Sequence, residues 1–211
     1  MSLLRDPEIP IVFIVDDDPS ICEGIGNLLE AAGISSVHFG SCEDFLNQWT
    51  EQMAGCLLLD VQLPGMTGVE FQEKLAQARI RIPIIFMTAH GDIPMVRKVM
   101  KAGAVEFLAK PFQEDELLVA VRQAFEVNRR RRREQSTIQS LQSRLETLTA
   151  REREVMEMVT AGYLNRQIAE HLNLSEVTVK LHRRHVMEKM QASSIVELVR
   201  IVDRAKRADR P

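Results

Sequence analysis

Five side chains of the types used in phosphoryl-transfer chemistry lie at, or directly after, apolar stretches of this chain. They are Asp16, Asp17, Asp60, Thr88 and Lys110. A carboxylate can attack a phosphoryl group as a nucleophile, and a hydroxyl and an ammonium can then bind the phosphoryl oxygens. Three carboxylates brought together repel one another unless a cation neutralises them. The residue types therefore predict an aspartyl phosphate formed beside a divalent cation.

The apolar stretches next to these residues have the pattern of strands in a parallel sheet. Strands that are buried on both faces consist of nearly unbroken Val, Ile and Leu. Four such runs cover Ile11–Val15, Leu57–Leu59, Ile84–Met87 and Val105–Ala109, and a further strand is predicted near 36–39. Ligands of such sheets bind outside the carboxyl ends of the strands, so the five polar side chains are expected to collect at that edge.

Amphipathic segments between the strands predict crossover helices. They lie at about 20–32, 42–48, 69–78, 95–102 and from 114 onward. Five alternations of strand and helix predict an α/β doubly wound fold with a five-stranded parallel sheet. Asp18, directly before Pro19, is predicted to cap the first helix and to take no part in the cation site.

The cation that fits carboxylate oxygens best is Mg²⁺, or Mn²⁺ in its place. We assign Asp17 and Asp60 as direct ligands and expect Asp16 to act through water. Asp60 is then the nucleophile, while Thr88 and Lys110 bind the phosphoryl oxygens. A single Asp after an apolar run is more often a strand end or a helix cap, so the interpretation depends on the coincidence of all five residues.

Several motifs resemble the signature of two-component receiver domains. They are Val15–Asp17, Asp60–Gly68, Thr88–Ala89 and Lys110–Phe112, within a domain predicted at 10–126. The resemblance implies that Asp60 accepts the phosphoryl group and that Gln62 offers its backbone carbonyl to the metal. It also implies a switch pair of Thr88 and Phe107, and a cis proline after Lys110.

The segment after this domain changes in composition. Neither glycine nor proline occurs from Phe112 to Ala161, which predicts one long helix. A helix over Glu114–Glu146 would extend about 50 Å at 1.5 Å per residue, with 127–146 as a linker. The Arg129–Arg133 run is interpreted as a solvated helix face, and attraction to DNA phosphates or to a partner is the alternative.

An apolar seam follows in the distal part of this helix. Its residues are Ile138, Leu141, Leu145 and Leu148, at steps of three, four and three. The seam has two interpretations, packing against the C-terminal domain or a short coiled coil, and fewer than three heptads are present to decide between them.

Residues 147–211 predict a separate all-α domain of four helices. Thr149 and Glu152 form a capping box for a helix that ends at Gly162. A short helix over about 165–172 and a tight turn lead to Ser175, the N-cap of a helix over 176–191. We predict that this last helix has a buried stripe and an opposite face of polar and aliphatic side chains. The predicted stripe is Val177, Val179, Val186 and Met190.

The C-terminal pattern resembles the LuxR-type helix-turn-helix over about 146–209. The resemblance implies that Lys180, Leu181 and Arg184 face DNA bases in the major groove. The residues that it places near phosphates are Asn165, Gln167, Thr178, His182 and Lys189. Together with the receiver motifs, this identifies a response regulator of the NarL/FixJ family. The segment Thr88–Met95 resembles the subgroup of the nitrogen-fixation regulator FixJ and the styrene regulator StyR.

Charge and composition agree with this division into two functions. Residues 1–112 carry 8 Lys or Arg and 15 Asp or Glu, a net charge of −7, whereas residues 113–211 carry 19 and 15, a net charge of +4. An acidic half suits a metal site and a basic half suits a polyanion. Cys22, Cys42 and Cys56 have no metal-ligand spacing and are expected to be reduced core residues. No stretch is apolar and long enough for a membrane span, so a cytoplasmic location without membrane contact is expected.

We interpret the chain as a phosphorylation-controlled transcriptional regulator. Its expected partners are a sensor histidine kinase, promoter double-stranded DNA and RNA polymerase, and it is expected to activate transcription. Phosphorylation is expected to produce a homodimer through the helix Met95–Ala102 and the start of the helix at Glu114. Relief of a blocked DNA-binding domain is an alternative of similar weight to induced dimerisation.

Two other functions are compatible with parts of the sequence. Asp16, Asp17 and Asp18 superficially resemble the paired aspartates of a metal-dependent phosphatase whose first Asp is the nucleophile. That alternative explains neither Asp60 nor the Lys110–Pro111 pair. A regulator that binds DNA regardless of phosphorylation is the third possibility.

Overall fold

The structure is a computed structural model that describes residues 9–89 and 93–208, with side chains as far as Ala205. His90–Asp92 of the subgroup motif and residues 209–211 of the predicted DNA-binding domain lie outside the described residues. The chain forms two compact units, one that ends at Arg131 and one that begins at Arg132.

The first unit contains the predicted five-stranded parallel sheet. Its strands are β1 (Ile11–Val15), β2 (Ser36–Phe39), β3 (Gly55–Asp60), β4 (Ile84–Thr88) and β5 (Glu106–Ala109). All neighbouring pairs are parallel, in the spatial order β2-β1-β3-β4-β5. The order reverses beside β1, which makes the carboxyl ends of β1 and β3 the expected ligand site.

Helices cover both faces of this sheet, so two apolar cores form. The helices are α1 (Pro19–Ala31), α2 (Cys42–Gln48), α3 (Gly68–Gln77), α4 (Ile93–Lys101) and α5 (Glu114–Glu146). Alternate residues of one strand enter different cores, as Phe13 and Ile14 do, because side chains alternate across a strand. Asp18 caps α1 as predicted, since its carboxylate accepts the N–H of Ser20 at 2.8 Å.

Over its described residues, the second unit contains the distal part of α5 and four further helices around its own core. They are α6 (Ala150–Thr160), α7 (Asn165–Leu172), α8 (Glu176–Met190) and α9 (Ile195–Ala208). The capping box of Thr149 and Glu152 and the N-cap at Ser175 are both confirmed. The turn between α7 and α8 passes through Asn173, whose φ of 51° is left-handed. This region has the predicted helix-turn-helix shape.

The helix α5 begins and ends at the predicted residues, and its two ends belong to different units. Asn128 is buried and its Oδ1 accepts the N–H of Gly55 at 3.3 Å, so the first compact unit continues beyond residue 126. Leu148 joins the core of the second unit and Leu145 packs against it. For these two seam residues, packing on the C-terminal domain is therefore the observed arrangement.

One predicted core residue is placed differently. Val177 is 76% exposed, whereas Val179, Val186 and Met190 are buried as predicted. Two residues correspond to about 200° around a helix, so Val177 and Val179 must lie on opposite faces of α8. The prediction for Val177 was wrong because it followed residue type and not helical spacing.

The three cysteines are buried and form no disulfide, which confirms the prediction. Among the described helices, none has the length and apolar character that a membrane crossing requires.

Candidate functional site

The carboxyl edge of the sheet brings together three of the predicted site residues. Asp60 is the last residue of β3, Asp16 follows β1, and Lys110 follows β5. The Lys110 ammonium donates to Asp16 Oδ2 at 2.6 Å and to Asp60 Oδ1 at 2.9 Å. One lysine therefore joins two carboxylates that are 44 residues apart in the chain, from 16 to 60.

Both carboxylates are almost completely buried. Asp16 is 3% exposed and Asp60 is 6% exposed. The second oxygen of each carboxylate accepts a backbone N–H, from Gln62 to Asp60 Oδ2 at 2.8 Å and from Asp18 to Asp16 Oδ1 at 3.0 Å. These bonds fix the orientation of both side chains, because a buried acceptor without a partner is unfavourable.

The charges in this cluster do not balance. Two carboxylates share one ammonium, which leaves one negative charge in excess when all three groups are ionised. Desolvation tends to lower the pKa of Lys110, but hydrogen bonds and charge attraction from Asp16 and Asp60 outweigh it and raise the pKa above its usual value. Lys110 is therefore a firmly charged group beside an unsatisfied negative charge.

Buried carboxylate oxygens with excess negative charge form a donor set that fits a hard divalent cation. Asp17 is exposed, and no three His, Cys, Asp or Glu side chains of the described ranges are grouped so as to hold a metal. The three-carboxylate cluster expected from the sequence is thus reduced to the pair Asp16 and Asp60. The metal roles of Asp17 and of the Gln62 carbonyl stay predictions.

Thr88 and Phe107 lie on the two strands next to Asp60. Thr88 ends β4, is 1% exposed, and its carbonyl accepts the N–H of Lys110 at 2.7 Å. Phe107 is half-buried on β5, opposite Phe86 of β4, and packs against the core. The Lys110–Pro111 peptide bond is cis, as the resemblance implied.

The start of α3 lies against the strand that carries Asp60. The Gly68 N–H donates to the Val61 carbonyl at 2.9 Å. A Cβ at Gly68 would lie 2.5 Å from the Asp60 carbonyl oxygen and 3.1 Å from a Phe86 ring carbon. Glycine is required here because the helix and the strand backbone approach so closely.

In the second unit, the outer face of α8 carries the predicted base-contacting residues. Lys180, Leu181 and Arg184 are exposed, and the exposed fraction of Leu181 is 46%. Arg184 forms an exposed ion pair with Glu188 at 3.3 Å, which contributes little to stability and leaves the guanidinium accessible. A cleft of about 450 Å³ lies beside this face. Its lining residues are Leu164, Asn165, Arg166, Glu176, Lys180 and Arg183.

The five residues predicted near DNA phosphates have different environments. Asn165 Oδ1 accepts from Arg183 at 2.7 Å, and Gln167 Oε1 accepts the Leu164 N–H at 2.8 Å. The Thr178 hydroxyl is 2.9 Å from the Ser175 hydroxyl. These bonds position the first turns of α7 and α8.

The other two residues predicted near DNA phosphates, His182 and Lys189, are partly enclosed by the protein. His182 is partly buried and its Nδ1 has no hydrogen-bond partner. The Lys189 ammonium donates to Glu152 Oε2 at 2.6 Å and to the Thr147 carbonyl at 3.0 Å. An ammonium has three donors, so one N–H of Lys189 remains for a DNA phosphate beside these two internal bonds.

Sequence reasoning missed the second role of Glu152, which does more than cap α6. Its carboxylate is 4% exposed and binds Lys189, and His185 Nδ1 is 3.6 Å from its other oxygen. Burial opposes ionisation, but hydrogen bonds from Lys189 and Thr149 prevail and lower the pKa of Glu152 to about 2. Glu152 thus attaches α8 to α6.

Sequence reasoning also missed Arg183, which donates to Asn165 and lines the cleft with Lys180. It lies one helical turn after Val179, at the border of the buried stripe of α8. The signal available in the sequence was the pair Arg183–Arg184, since two consecutive arginines on one helix point in different directions.

Comparison with known proteins agrees with this geometry. Residues 12–122 match the response regulator receiver domain family, and residues 146–202 match the luxR family of bacterial regulatory proteins. The chain is 48% identical over 191 residues to nodulation protein W of Bradyrhizobium diazoefficiens, covering 90% of this chain and 84% of that protein. It is 43% identical over 196 residues to the response regulator protein TodT of Pseudomonas putida, covering 93% and 86%.

A solved structure extends the similarity to the fold. The response regulator StyR has 45% sequence identity and a TM-score of 0.83, over 92% of this chain and 98% of that one. Receiver domains generally bind Mg²⁺ for phosphorylation, and response regulators of this type work with sensor kinases and DNA. The chain belongs to the response regulators that join a receiver domain to a LuxR-family helix-turn-helix domain, and it is a phosphorylation-controlled, DNA-binding transcriptional regulator.

Proposed function

We propose that Asp60 is the residue that accepts the phosphoryl group from a sensor histidine kinase. The supporting observation is the buried cluster in which Lys110 binds both Asp60 and Asp16 at the carboxyl edge of the sheet. An Asp60 oxygen forms the new bond to phosphorus while the bond from phosphorus to the kinase histidine nitrogen breaks. Lys110, already charged and directed at Asp60, then binds a phosphoryl oxygen.

In the same proposal Asp17, Asp60 and the Gln62 carbonyl hold Mg²⁺, or Mn²⁺, and Asp16 acts through water. The bound ion would neutralise the excess negative charge of the carboxylates and of the incoming phosphoryl group. Asp16 remains oriented by the Asp18 N–H and by Lys110. Asp17, which is exposed, can turn toward the site without disturbing the core.

The response to phosphorylation is proposed to pass through Thr88 and Phe107. A phosphoryl group adds a charge of about −1.5 to −2, which attracts the Thr88 hydroxyl. Movement of this buried side chain leaves space for Phe107, which is half-buried on the neighbouring strand. The ring would then turn inward and change the surface near α4 and β5.

This surface is proposed to become a homodimer interface. The predicted segment Met95–Ala102 corresponds to α4, which begins at Ile93 and ends at Lys101. Large apolar side chains are exposed on α4 and on the start of α5, which supports self-association. They are Ile93 at 76%, Met100 at 38% and Val119 at 53%.

Dimerisation would place two copies of α8 on neighbouring half-sites of promoter DNA, about one helical turn apart. Lys180, Leu181 and Arg184 are proposed to contact bases. The residues proposed near phosphates are Asn165, Gln167, Thr178, His182 and Lys189. The proposal also includes contact with RNA polymerase and activation of transcription in the cytoplasm. Transcription in vitro from a footprinted promoter with purified RNA polymerase tests the contact and the activation together.

The acceptor is tested by mass spectrometry after incubation with acetyl phosphate and Mg²⁺. We expect one phosphoryl adduct on Asp60, absent from Asp60→Asn and retained in Asp18→Asn, which changes a neighbouring carboxylate that only caps a helix. An adduct on Asp16 with steady hydrolysis would indicate a phosphatase and would refute the assignment.

Dimerisation is tested with beryllofluoride, a mimic of the phosphoryl group. Light scattering is expected to show a doubled mass and footprinting is expected to show tighter DNA binding, both absent from Asp60→Asn. Unchanged mass with tighter DNA binding would favour relief of inhibition, and no change in either would favour DNA binding that ignores phosphorylation.

A further inference from the structure

A second cleft of about 430 Å³ lies in the receiver unit, at the amino ends of the strands and away from Asp60. It is lined by Ile84, the first residue of β4, whereas Asp60 is the last residue of β3. Because the strands are parallel, these residues lie at opposite edges of the sheet. The volume is within the range of about 300–1,000 Å³ that small-molecule sites occupy.

Three guanidinium groups surround this cleft. Arg79 and Arg81 come from the loop between α3 and β4, and Arg131 comes from α5. The Arg131 Nη1 donates to the Arg81 carbonyl at 3.3 Å, and this bond joins α5 to the loop. Over the described ranges no carboxylate lines the cleft, and none of the three side chains is in an ion pair. The positive charge is therefore not neutralised by the protein.

The surroundings of Arg131 disfavour the positive charge of its guanidinium. Desolvation and the nearby charges of Arg81 and Arg130 lower the pKa of Arg131 below its usual value, although a guanidinium remains charged at neutral pH. An anion in the cleft would relieve this repulsion. Guanidinium groups bind carboxylates and phosphates through paired hydrogen bonds.

The inner part of the cleft is apolar except for one amide. Leu75, Ile82 and Ile84 are buried at 1%, 5% and 5% exposure. Gln72, which also lines the cleft, is 6% exposed and its Oε1 has no hydrogen-bond partner. This atom is a carbonyl oxygen and only accepts hydrogen bonds, so a donor group on the ligand, and not its carboxylate, would satisfy it.

Arg79 is held in a left-handed conformation with φ of 58°, directly after the end of α3. Glycine is the usual residue at this position of a helix end. The Arg79 side chain therefore lies at the cleft at the expense of a backbone conformation that favours glycine.

We propose that this cleft binds a small organic carboxylate with an apolar body. The carboxylate would lie among Arg79, Arg81 and Arg131, and the apolar body would lie against Leu75, Ile82 and Ile84. Inorganic phosphate would have the charge but not the apolar contacts. A bound ligand would also hold the turn of α5 at Arg131 to the receiver. Because the cleft and Asp60 lie at opposite ends of the strands, ligand binding would not depend on phosphorylation of Asp60.

Isothermal titration calorimetry of the full chain tests the proposal with hexanoate, inorganic phosphate and 1-hexanol. We expect saturable binding of hexanoate, at least tenfold weaker binding of the two other probes, and unchanged hexanoate binding by Asp60→Asn. Arg131→Gln is expected to weaken hexanoate binding about tenfold, while Arg133→Gln, which makes the same charge change outside the cleft, leaves it unchanged.

Two further variants separate ligand binding from folding. Arg79→Gly relieves the left-handed residue and is expected to raise the melting temperature and weaken hexanoate binding. Gln72→Leu removes the unpartnered oxygen and is expected to raise the melting temperature without weakening hexanoate binding, because hexanoate has no donor for that oxygen. Absence of hexanoate binding, equal binding of phosphate, or equal effects of Arg131→Gln and Arg133→Gln would each overturn the proposal.

Discussion

Each domain contains a lysine bound to a buried carboxylate, and the two clusters differ in their charge balance. In the receiver, Lys110 is shared by Asp16 and Asp60. In the DNA-binding domain, Lys189 forms an ion pair with Glu152 and also donates to the Thr147 carbonyl, and His185 lies nearby. The first cluster has an excess negative charge, whereas the charges of Lys189 and Glu152 in the second cluster cancel.

This difference separates a chemical site from a structural one. A buried ion pair whose charges cancel, and whose remaining hydrogen bonds are made, can fix two elements relative to each other. Glu152 does so between α6 and α8. A buried pair of carboxylates with one ammonium carries an excess negative charge that a further cation would neutralise. The imbalance at Asp60 thus supports the proposed binding of a metal and a phosphoryl group at this site.

The largest expected effect comes from removing the shared lysine. Lys110→Met is expected to slow phosphorylation of Asp60 by about 100-fold, because the positive charge that stabilises the transferred group is lost. The rate is measured by mass spectrometry with acetyl phosphate. Lys98→Met, which removes an exposed lysine 3.6 Å from Glu73, is the control and is expected to react normally. A normal rate in Lys110→Met would show that the Lys110 ammonium has no chemical role, and the contrast with Lys189 would then be wrong.

The corresponding change in the other cluster should affect stability instead. Lys189→Met leaves the Glu152 carboxylate buried without its ammonium and is expected to destabilise the DNA-binding domain by about 2 kcal/mol. Urea unfolding followed by circular dichroism measures this. Lys180→Met, an exposed change on the same helix, should keep the stability and weaken DNA binding. Equal stability of Lys189→Met and the natural chain would contradict a structural role for the pair.

The two clusters should also respond to opposite ends of the pH scale. The pKa of Glu152 falls to about 2 in the folded chain, so its contribution is complete above the ordinary pKa of 4.5 and is lost as the pH drops through about 2. The pKa of Lys110 is raised, so its contribution is complete below 10.5 and is lost as the pH rises through the raised pKa.

Glu152→Gln should therefore reduce stability equally at pH 7 and pH 5, and the difference from the natural chain should shrink below about pH 4.5. Unfolding free energies measured across this range test the sign. A difference that is largest at pH 3 would show that the carboxylate is not stabilised by Lys189.

The sequence predicted the receiver site well because one rule governs it. Parallel strands bring their carboxyl ends to one edge, so Asp16, Asp60 and Lys110 could be grouped although 94 residues separate the first and last. The pairing of their charges through one ammonium could not be predicted, since it depends on the reach of the Lys110 side chain.

The DNA-binding domain was predicted less completely, because helix contacts are set by rotation about each helix axis. Lys189 was predicted near DNA phosphates, and the sequence did not indicate that its ammonium also binds Glu152, 37 residues away in the chain. Val177 was assigned to the core by residue type, although it lies on the opposite face from Val179. Local signals such as the caps at Thr149 and Ser175 were correct because they depend only on neighbouring residues.

A smaller effect is expected from the glycine that lies against Asp60. Gly68→Ala places a Cβ 2.5 Å from the Asp60 carbonyl oxygen, so the start of α3 must shift. We expect a loss of about 1–3 kcal/mol in the free energy of unfolding of the receiver. Gly24→Ala, within α1 and with open space around the new Cβ, should add roughly 0.5–1 kcal/mol. If both variants shift stability in the same direction, close packing at Asp60 is not what requires Gly68.

The smallest expected effect tests the exposed face of α8. Val177→Ala removes methyl groups from a side chain that is 76% exposed, and it should change the free energy of unfolding by less than about 0.5 kcal/mol. Val179→Ala removes the same groups from a fully buried side chain and should cost about 2 kcal/mol. Urea unfolding of both variants measures the contrast. Equal losses would place Val177 in the core, and would turn Lys180, Leu181 and Arg184 away from the surface proposed to contact DNA.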